Sequence, residues 1–314
     1  MDPEEPRSGQ RERRRPLRAF VALGKLGIIE LWLGFFAGVS LLGRWVFHEG
    51  HALVTLGLVL LLGVVVIAVT CGLDDIAGAR DGVDRANHRA GRRWGVEKPI
   101  LDGRLDEGLA LDLVHAATVV GAMCYAGVLA VAWPLPWWLV AAMTAMIVLA
   151  VNYSYGLRLS YRGAGELVVF AGGFGTVMIP YALVTRSVTP PLLVSATLVG
   201  LWQAQVVMFS NTHDAEGDRA HGRMTIAART SPGANKAFIV SVFAAGWAFT
   251  AVALAISAAP LVYALALFPV WALQIFQLWT GVRDEQWLRA RRAGFHVVRV
   301  GVFGLTLANL ASGG

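Results

Sequence analysis

Residues 51–73 read HALVTLGLVLLLGVVVIAVTCGL, and residues 74–84 read DDIAGARDGVD. The first string contains no Asp, Glu, Lys or Arg. It is long enough to cross the hydrocarbon core of a bilayer as a helix, which takes about 20 apolar residues. A barrel strand would need only about 10 residues of alternating character. The second string sets Asp74, Asp75, Asp81 and Asp84 where that run ends. Carboxylates at the end of a membrane span are costly unless they are solvated or bind something.

The rest of the chain repeats the apolar pattern. Of 314 residues, 56% are hydrophobic and 15% charged, against about 25% charged in a soluble domain. This excludes an ordinary soluble protein. Apolar runs fall at 19–43, 51–73, 109–133, 136–156, 164–186, 190–212, 235–257, 259–281 and 294–312. The expected fold is therefore all-α and integral to the membrane, a bundle of about nine transmembrane helices. Residues 18–314 are expected to form a single transmembrane catalytic domain. Residues 1–17, Arg-rich and polar, are expected to form a disordered cytoplasmic tail, with no cleavage site to mark a signal peptide.

Basic residues set the orientation. With the N-terminus in the cytoplasm, inner segments hold Arg7 to Arg18, Arg80 to Arg104, Arg158, Arg162, Arg219 to Arg229 and Arg283 to Arg292. The outer connections hold only Arg44 and Arg186. That asymmetry follows the positive-inside rule. It accounts for most of the net charge of +6 and gives no reason to expect a nucleic-acid partner. Cys71 and Cys124 lie in apolar runs without metal or disulfide spacing, so packing is their expected role.

A second acidic cluster closes the sixth run. Asn211, Asp214 and Asp218 are spaced i, i+3 and i+7, which places them on one helix face. Asp214 and Asp218 repel each other unless a cation lies between them. Mg²⁺ prefers hard oxygen ligands, commonly one or two carboxylates with phosphate oxygens and water. Two acidic clusters on the same membrane side thus point to Mg²⁺ carrying a diphosphate. The expected metal ligands are Asp75, Asp84, Asn211, Asp214 and Asp218. Arg80, Arg158, Arg219 and Arg223 are expected phosphate donors. Asp74, Tyr153, Phe174 and Trp202 complete the expected substrate contacts, with Phe170 and Phe209 as further aromatic candidates. Glu166 opens a helix, where a carboxylate also suits the dipole. Asp84-Arg85-Ala86-Asn87-His88 resembles Asp218-Arg219-Ala220-His221, a short hint of an internal repeat.

Together these residues resemble the UbiA superfamily of membrane prenyltransferases over nearly the whole chain. Asn211-Thr-His-Asp214-Ala-Glu-Gly-Asp218, then Gly222-Arg223-Met-Thr225, is similar to the family's Asn-x-x-Asp-x-x-x-Asp and the Gly-basic-x-Thr stretch after it. Lys98-Pro99-Ile100-Leu101-Asp102-Gly103-Arg104 resembles the Arg-Pro-x-x-x-Gly-Arg segment that follows the first motif. Tyr153-Ser154 with Gly163 to Glu166 resembles the region between the fourth and fifth helices. The first motif resembles that of MenA-like enzymes with two departures: Asp74 replaces Asn, and Gly78 replaces Asp. A small residue at that middle position resembles the UbiA-type terpene cyclases. Leu157 also stands where many family members have Pro.

The resemblance implies Mg²⁺-assisted loss of diphosphate from an isoprenyl diphosphate, with Asp75, Asp84, Asp214 and Asp218 as the catalytic carboxylates. Two fates for the resulting cation stay open. One is ring closure within the prenyl chain, as in a UbiA-type terpene cyclase. The other is transfer to an aromatic or quinone-precursor acceptor. A transporter or scaffold is a third reading, which would require charged residues within the spans.

Overall fold

In a computed structural model of the chain, residues 16–90 and 97–312 are described. Those residues contain helices and turns and no strand. The expected tail lies outside them, except that Pro16 and Leu17 open a helix. In chain order the helices are α1 (Pro16–Leu23), α2 (Gly34–Val39), α3 (Gly50–Arg80), α4 (Val83–Ala90), α5 (Glu107–Val131) and α6 (Trp137–Val151). They continue with α7 (Gly165–Thr185), α8 (Pro190–Ala220), α9 (Ile226–Arg229), α10 (Pro232–Ala255), α11 (Val262–Leu278) and α12 (Trp287–Ala311).

Among the described residues, seven helices are long and apolar enough to cross a membrane: α3, α5, α7, α8, α10, α11 with its π-helical extension to Arg283, and α12. Two of the nine expected spans differ. Helix α6 has 15 residues, about 22 Å of helix, short of the roughly 30 Å core. The first run is broken. It leaves α1 at Gly24, passes Lys25 in left-handed geometry (φ 51°), and makes a 3₁₀ turn at Ile29–Leu31 before α2. Packing accounts for part of that interruption. A Cβ at Gly34 would lie 2.2 Å from Thr176 Oγ1, and one at Gly38 would lie 2.2 Å from Val177 O. The segment lies against the backbone of α7 at a distance only glycine permits.

Helix α8 is the axis of the bundle. Of its apolar window, 78% is buried, against 28% for α5, α10 and α11. Thr189 caps it by accepting from the Leu192 amide, and Pro190 occupies its first turn. That is the usual opening for a helix. At Gly173 of α7 a Cβ would lie 2.9 Å from Gly200 Cα of α8, so these two helices meet backbone to backbone. One tightly packed axis therefore carries the end of α8, with Asn211, Asp214 and Asp218, to one end of the bundle.

Candidate active site

The end of α3 brings in the first acidic cluster. The helix finishes at Arg80, Asp81 follows as its cap, and Gly82 turns the chain with φ 81° into α4. The reversal folds Asp84 back over Gly78. Asp81 accepts from the Val83 amide, from Arg158 Nη2 at 2.7 Å and from the Tyr161 hydroxyl in a short bond. Arg158 also stacks on the Tyr161 ring, 3.7 Å from its centroid. Asp81 thus ties α3 to the loop before α7. Burial first, and then the bond to Asp81, push the Tyr161 phenol above its ordinary range.

Helix α4 docks onto α8 beside the second cluster. Asn87 Nδ2 donates to Asp218 Oδ1 at 2.9 Å, and Thr225 Oγ1 lies 3.4 Å from Asp218 Oδ2. Asp74, at the end of α3, accepts from Ser154 Oγ at 2.6 Å and faces Lys25 Nζ at 3.4 Å and Arg223 Nη2 at 3.6 Å. The two acidic clusters, far apart in sequence, therefore form one polar end of the bundle. Burial works against the charge of Arg223, and Asp74, Tyr153 and Asp218 outweigh it, so the guanidinium is held above its ordinary pKa.

Asp75, Asp84, Asn211, Asp214 and Asp218 are all buried there. Asn211 Nδ2 donates to Glu166 Oε1 at 2.8 Å. That bond leaves the Asn211 carbonyl oxygen as the free end of the amide. Glu166 Oε2 is buried with no hydrogen-bond partner among the described residues. An orphaned carboxylate oxygen beside Asn211, Asp214 and Asp218 is the donor chemistry that Mg²⁺ takes. Among the described residues no three acidic, His or Cys side chains close on a common point. A metal at the second cluster would complete its shell with substrate oxygens and water.

The first cluster is filled differently. Lys98 Nζ lies 2.6 Å from Asp75 Oδ1 and 2.8 Å from Asp84 Oδ2, and Lys25 Nζ lies 3.3 Å from Asp75 Oδ1. Lysine ammoniums occupy the space between these aspartates.

A cavity of about 340 Å³ opens beside this polar end and runs into the bundle. Lys25, Asp74, Tyr153, Asn211 and Arg223 stand at its polar mouth. Leu62, Val66, Met143, Met146, Ile147 and Ile179 line its apolar body. Glu30, Gln203 and Arg291 also line it. Glu30 is buried, is paired with Arg299, and accepts from Gln203 Nε2 through its backbone carbonyl.

Other expected contacts lie elsewhere. Arg80 is turned to Glu107, 2.7 Å away, on the surface. Arg219 donates through Nε to the Ala228 carbonyl. The lining of this cavity does not include Phe170, Phe174, Trp202 or Phe209. Phe174 and Trp202 pack in the α7–α8–α12 core, and Phe209 packs on Phe243 and Trp287. Phe170 lies against Gly200, and all four side chains serve helix packing. In their place the cavity has aliphatic and Met side chains, with Trp32, Phe35 and Phe295 as its aromatic lining besides Tyr153.

Sequence reasoning missed Lys25, Glu30, Asn87, Tyr161 and the position of Lys98. Lys25 and Glu30 had a signal, since ionisable residues inside an apolar run are functional candidates by default. The others depend on how α4 and the loops fold back.

The sequence profile of the UbiA prenyltransferase family matches residues 31–298. No curated protein matches the chain. Three solved structures share its fold. A digeranylgeranylglyceryl phosphate synthase is 11% identical with a TM-score of 0.64, over 95% of this chain and 99% of that one. An apo UbiA homologue from Aeropyrum pernix K1 is 15% identical with a TM-score of 0.57, over 92% and 98%. A UbiA homologue from Archaeoglobus fulgidus, bound to DMAPP and Mg²⁺, is 13% identical with a TM-score of 0.50, over 93% and 99%. At these identities the likeness is one of fold. The profile match covers most of the chain, and the chain belongs to the UbiA prenyltransferase family.

Proposed function

From that membership we propose that the chain is a membrane-embedded, Mg²⁺-dependent enzyme that ionises an isoprenyl diphosphate and cyclises the prenyl chain. The observation that carries this reading is one cavity joining a polar mouth, formed by Lys25, Asp74, Tyr153, Asn211 and Arg223 next to the buried carboxylates of both motifs, to an apolar body. A diphosphate matches the mouth and a prenyl chain matches the body. The archaeal homologue with DMAPP and Mg²⁺ binds the same two chemical classes.

Asn211, Asp214, Asp218 and Glu166 would hold Mg²⁺, which when bound offsets the charge on the leaving diphosphate. Lys25 and Arg223 stand at the mouth as donors to the leaving oxygens. The apolar walls keep water from the allylic cation. Gln203 is eight residues from Asn211 on α8, about 12 Å deeper along the helix, so the body reaches well beyond the carbon that loses diphosphate. A folded prenyl chain fits that reach better than a short one. Gly78, a departure the chain shares with the cyclase pattern, points the same way. The basic residues gathered in the loops at the site end support a cytoplasmic mouth and N-terminus by the positive-inside rule.

Transfer to an aromatic or quinone-precursor acceptor is the second reading. The family's name favours it, and Glu30, Gln203 and Arg291 put polar groups on the cavity wall, where an acceptor would need them.

The deciding experiment uses detergent-purified protein with Mg²⁺ and isoprenyl diphosphates of several lengths, without acceptor. Gas chromatography with mass detection reads the products. A cyclic hydrocarbon or alcohol that disappears with EDTA is the expected result. An adduct formed only when an aromatic acceptor is added, with no acceptor-free cyclic product, would replace cyclisation with transfer.

A further inference from the structure

We propose that Lys98 is the resident cation of the first acidic motif, and that the divalent ion is held at the second motif alone. The site would then take one Mg²⁺ per diphosphate, with a lysine ammonium where a second metal would sit. This inference rests on the Mg²⁺–diphosphate reading above.

The first observation is geometric. Lys98 Nζ bridges Asp75 Oδ1 at 2.6 Å and Asp84 Oδ2 at 2.8 Å. The side chains are 6%, 1% and 4% exposed. An ammonium between two buried carboxylates satisfies the demand a bridging metal would satisfy. Removing one partner from such a set leaves an uncompensated buried charge.

The second is charge balance. Asp74, Asp75 and Asp84 face Lys25, Lys98 and Arg223 through the ion pairs at this end. Three carboxylates meet two lysines and an arginine that they share with Asp218, so little net negative charge is left in the first cluster to attract a dication.

The third is Gly78. A Cβ there would lie 2.6 Å from the Asp84 carboxylate. The absent side chain at this position is what lets Asp84 reach Lys98. A carboxylate in place of Gly78 would compete for the same volume. Mg²⁺ asks for near-octahedral oxygen coordination. Here it would find two carboxylates already shared with lysine. Asp75 Oδ2, buried without a hydrogen-bond partner among the described residues, adds a single donor.

The fourth is the loop that carries Lys98. The Lys98 carbonyl accepts from the Asp102 amide at 2.9 Å, and the Pro99 carbonyl accepts from Arg104 and Leu105. Arg104 in turn pairs with Glu97 and Asp102. This closed turn fixes the lysine stem, so the ammonium is held over the aspartates by its own backbone as well as by attraction.

The test counts bound metal. Purified full-length protein is dialysed to equilibrium with Mn²⁺ and inorganic diphosphate, and bound Mn²⁺ is measured by electron paramagnetic resonance. The wild type is expected to hold one Mn²⁺ per chain. Asp75→Asn should leave that count unchanged, and Asp218→Asn should abolish it. Lys98→Met, which releases two carboxylates, should raise the count to two. A wild type with two Mn²⁺, one of them lost in Asp75→Asn, would overturn the inference and leave the Mg²⁺–diphosphate reading intact. A wild type with none would overturn that reading and this inference with it. If Lys98→Met does not fold, the wild type and Asp75→Asn still decide.

Discussion

Asn87 Nδ2 donates to Asp218 Oδ1 at 2.9 Å, joining residues 131 positions apart. The contact exists because position 217 is glycine: a Cβ there would lie 2.0 Å from Asn87 Oδ1. Gly217→Ala should push α4 off α8 and move Asp218, lowering both melting temperature and diphosphate release. Asn87→Ala should cost about 1–3 kcal/mol by leaving Asp218 short of one buried partner. In the double mutant the two losses should be less than additive, because the clash is gone once Asn87 is truncated. Thermal melts in detergent, read beside diphosphate release, check this. Strict additivity would mean that α4 does not dock through this pair.

Asp214 and Asp218 lie at the end of the most buried helix, next to Asn211 and Glu166. If they hold the charge that the leaving diphosphate meets, Asp214→Ala and Asp218→Ala should each reduce diphosphate release on the order of 100-fold or more. Circular dichroism and size exclusion should show a folded protein in both. Near-normal turnover in either one would remove that residue from the metal site.

Membrane class and helical fold were legible because run length and composition decide them. The second motif was legible because i, i+3 and i+7 spacing within one helix fixes a shared face whatever the rest of the chain does. What failed was anything set by packing. The first run reads as a continuous span, yet Gly34 meets the Thr176 side chain and Gly38 the Val177 carbonyl of α7, and Lys25 turns left-handed beside Asp74. Aromatic residues near helix ends read as cavity lining, but Phe174 and Trp202 face neighbouring helices. Arg80 and Arg219 sit among the motif residues and turn away, because side-chain direction at a helix end depends on which neighbour is there.

The Tyr161 phenol, donating to Asp81, gives a pH test outside the membrane spans. Its pKa is raised, by burial and then by Asp81. The neutral phenol is therefore the form that favours folding. Its contribution is complete below the unfolded value of about 10, and is lost as pH rises toward the raised folded value. Tyr161→Phe should lower stability by about 1.5–3 kcal/mol, as expected for a hydrogen bond to a charged group. The gap in melting temperature between wild type and variant should stay level from pH 7 to about 10 and narrow above that. A gap that closed between pH 7 and 9 would show that Tyr161 does not act through its proton.

The cavity body can be shortened without disturbing the bundle. Gly63 on α3 and Gly172 on α7 both line it, and a Cβ at either would meet nothing within 4 Å. Gly175, on the same wall, is the contrasting case: a Cβ there would lie 2.6 Å from Met146 Cε. Gly63→Leu and Gly172→Leu should therefore fold and place new atoms in the space assigned to the prenyl chain. If chain length is set by the depth of this body, each variant should lose turnover with long isoprenyl diphosphates by about 10-fold or more, consistent with a steric misfit of a few kcal/mol. Turnover with the shortest substrate should change little, because the mouth residues are untouched. Steady-state diphosphate release across a series of chain lengths measures both effects in one experiment. Equal losses at every length would mean that the variants damage the mouth or the fold. No loss at any length would mean that the prenyl chain does not occupy this cavity.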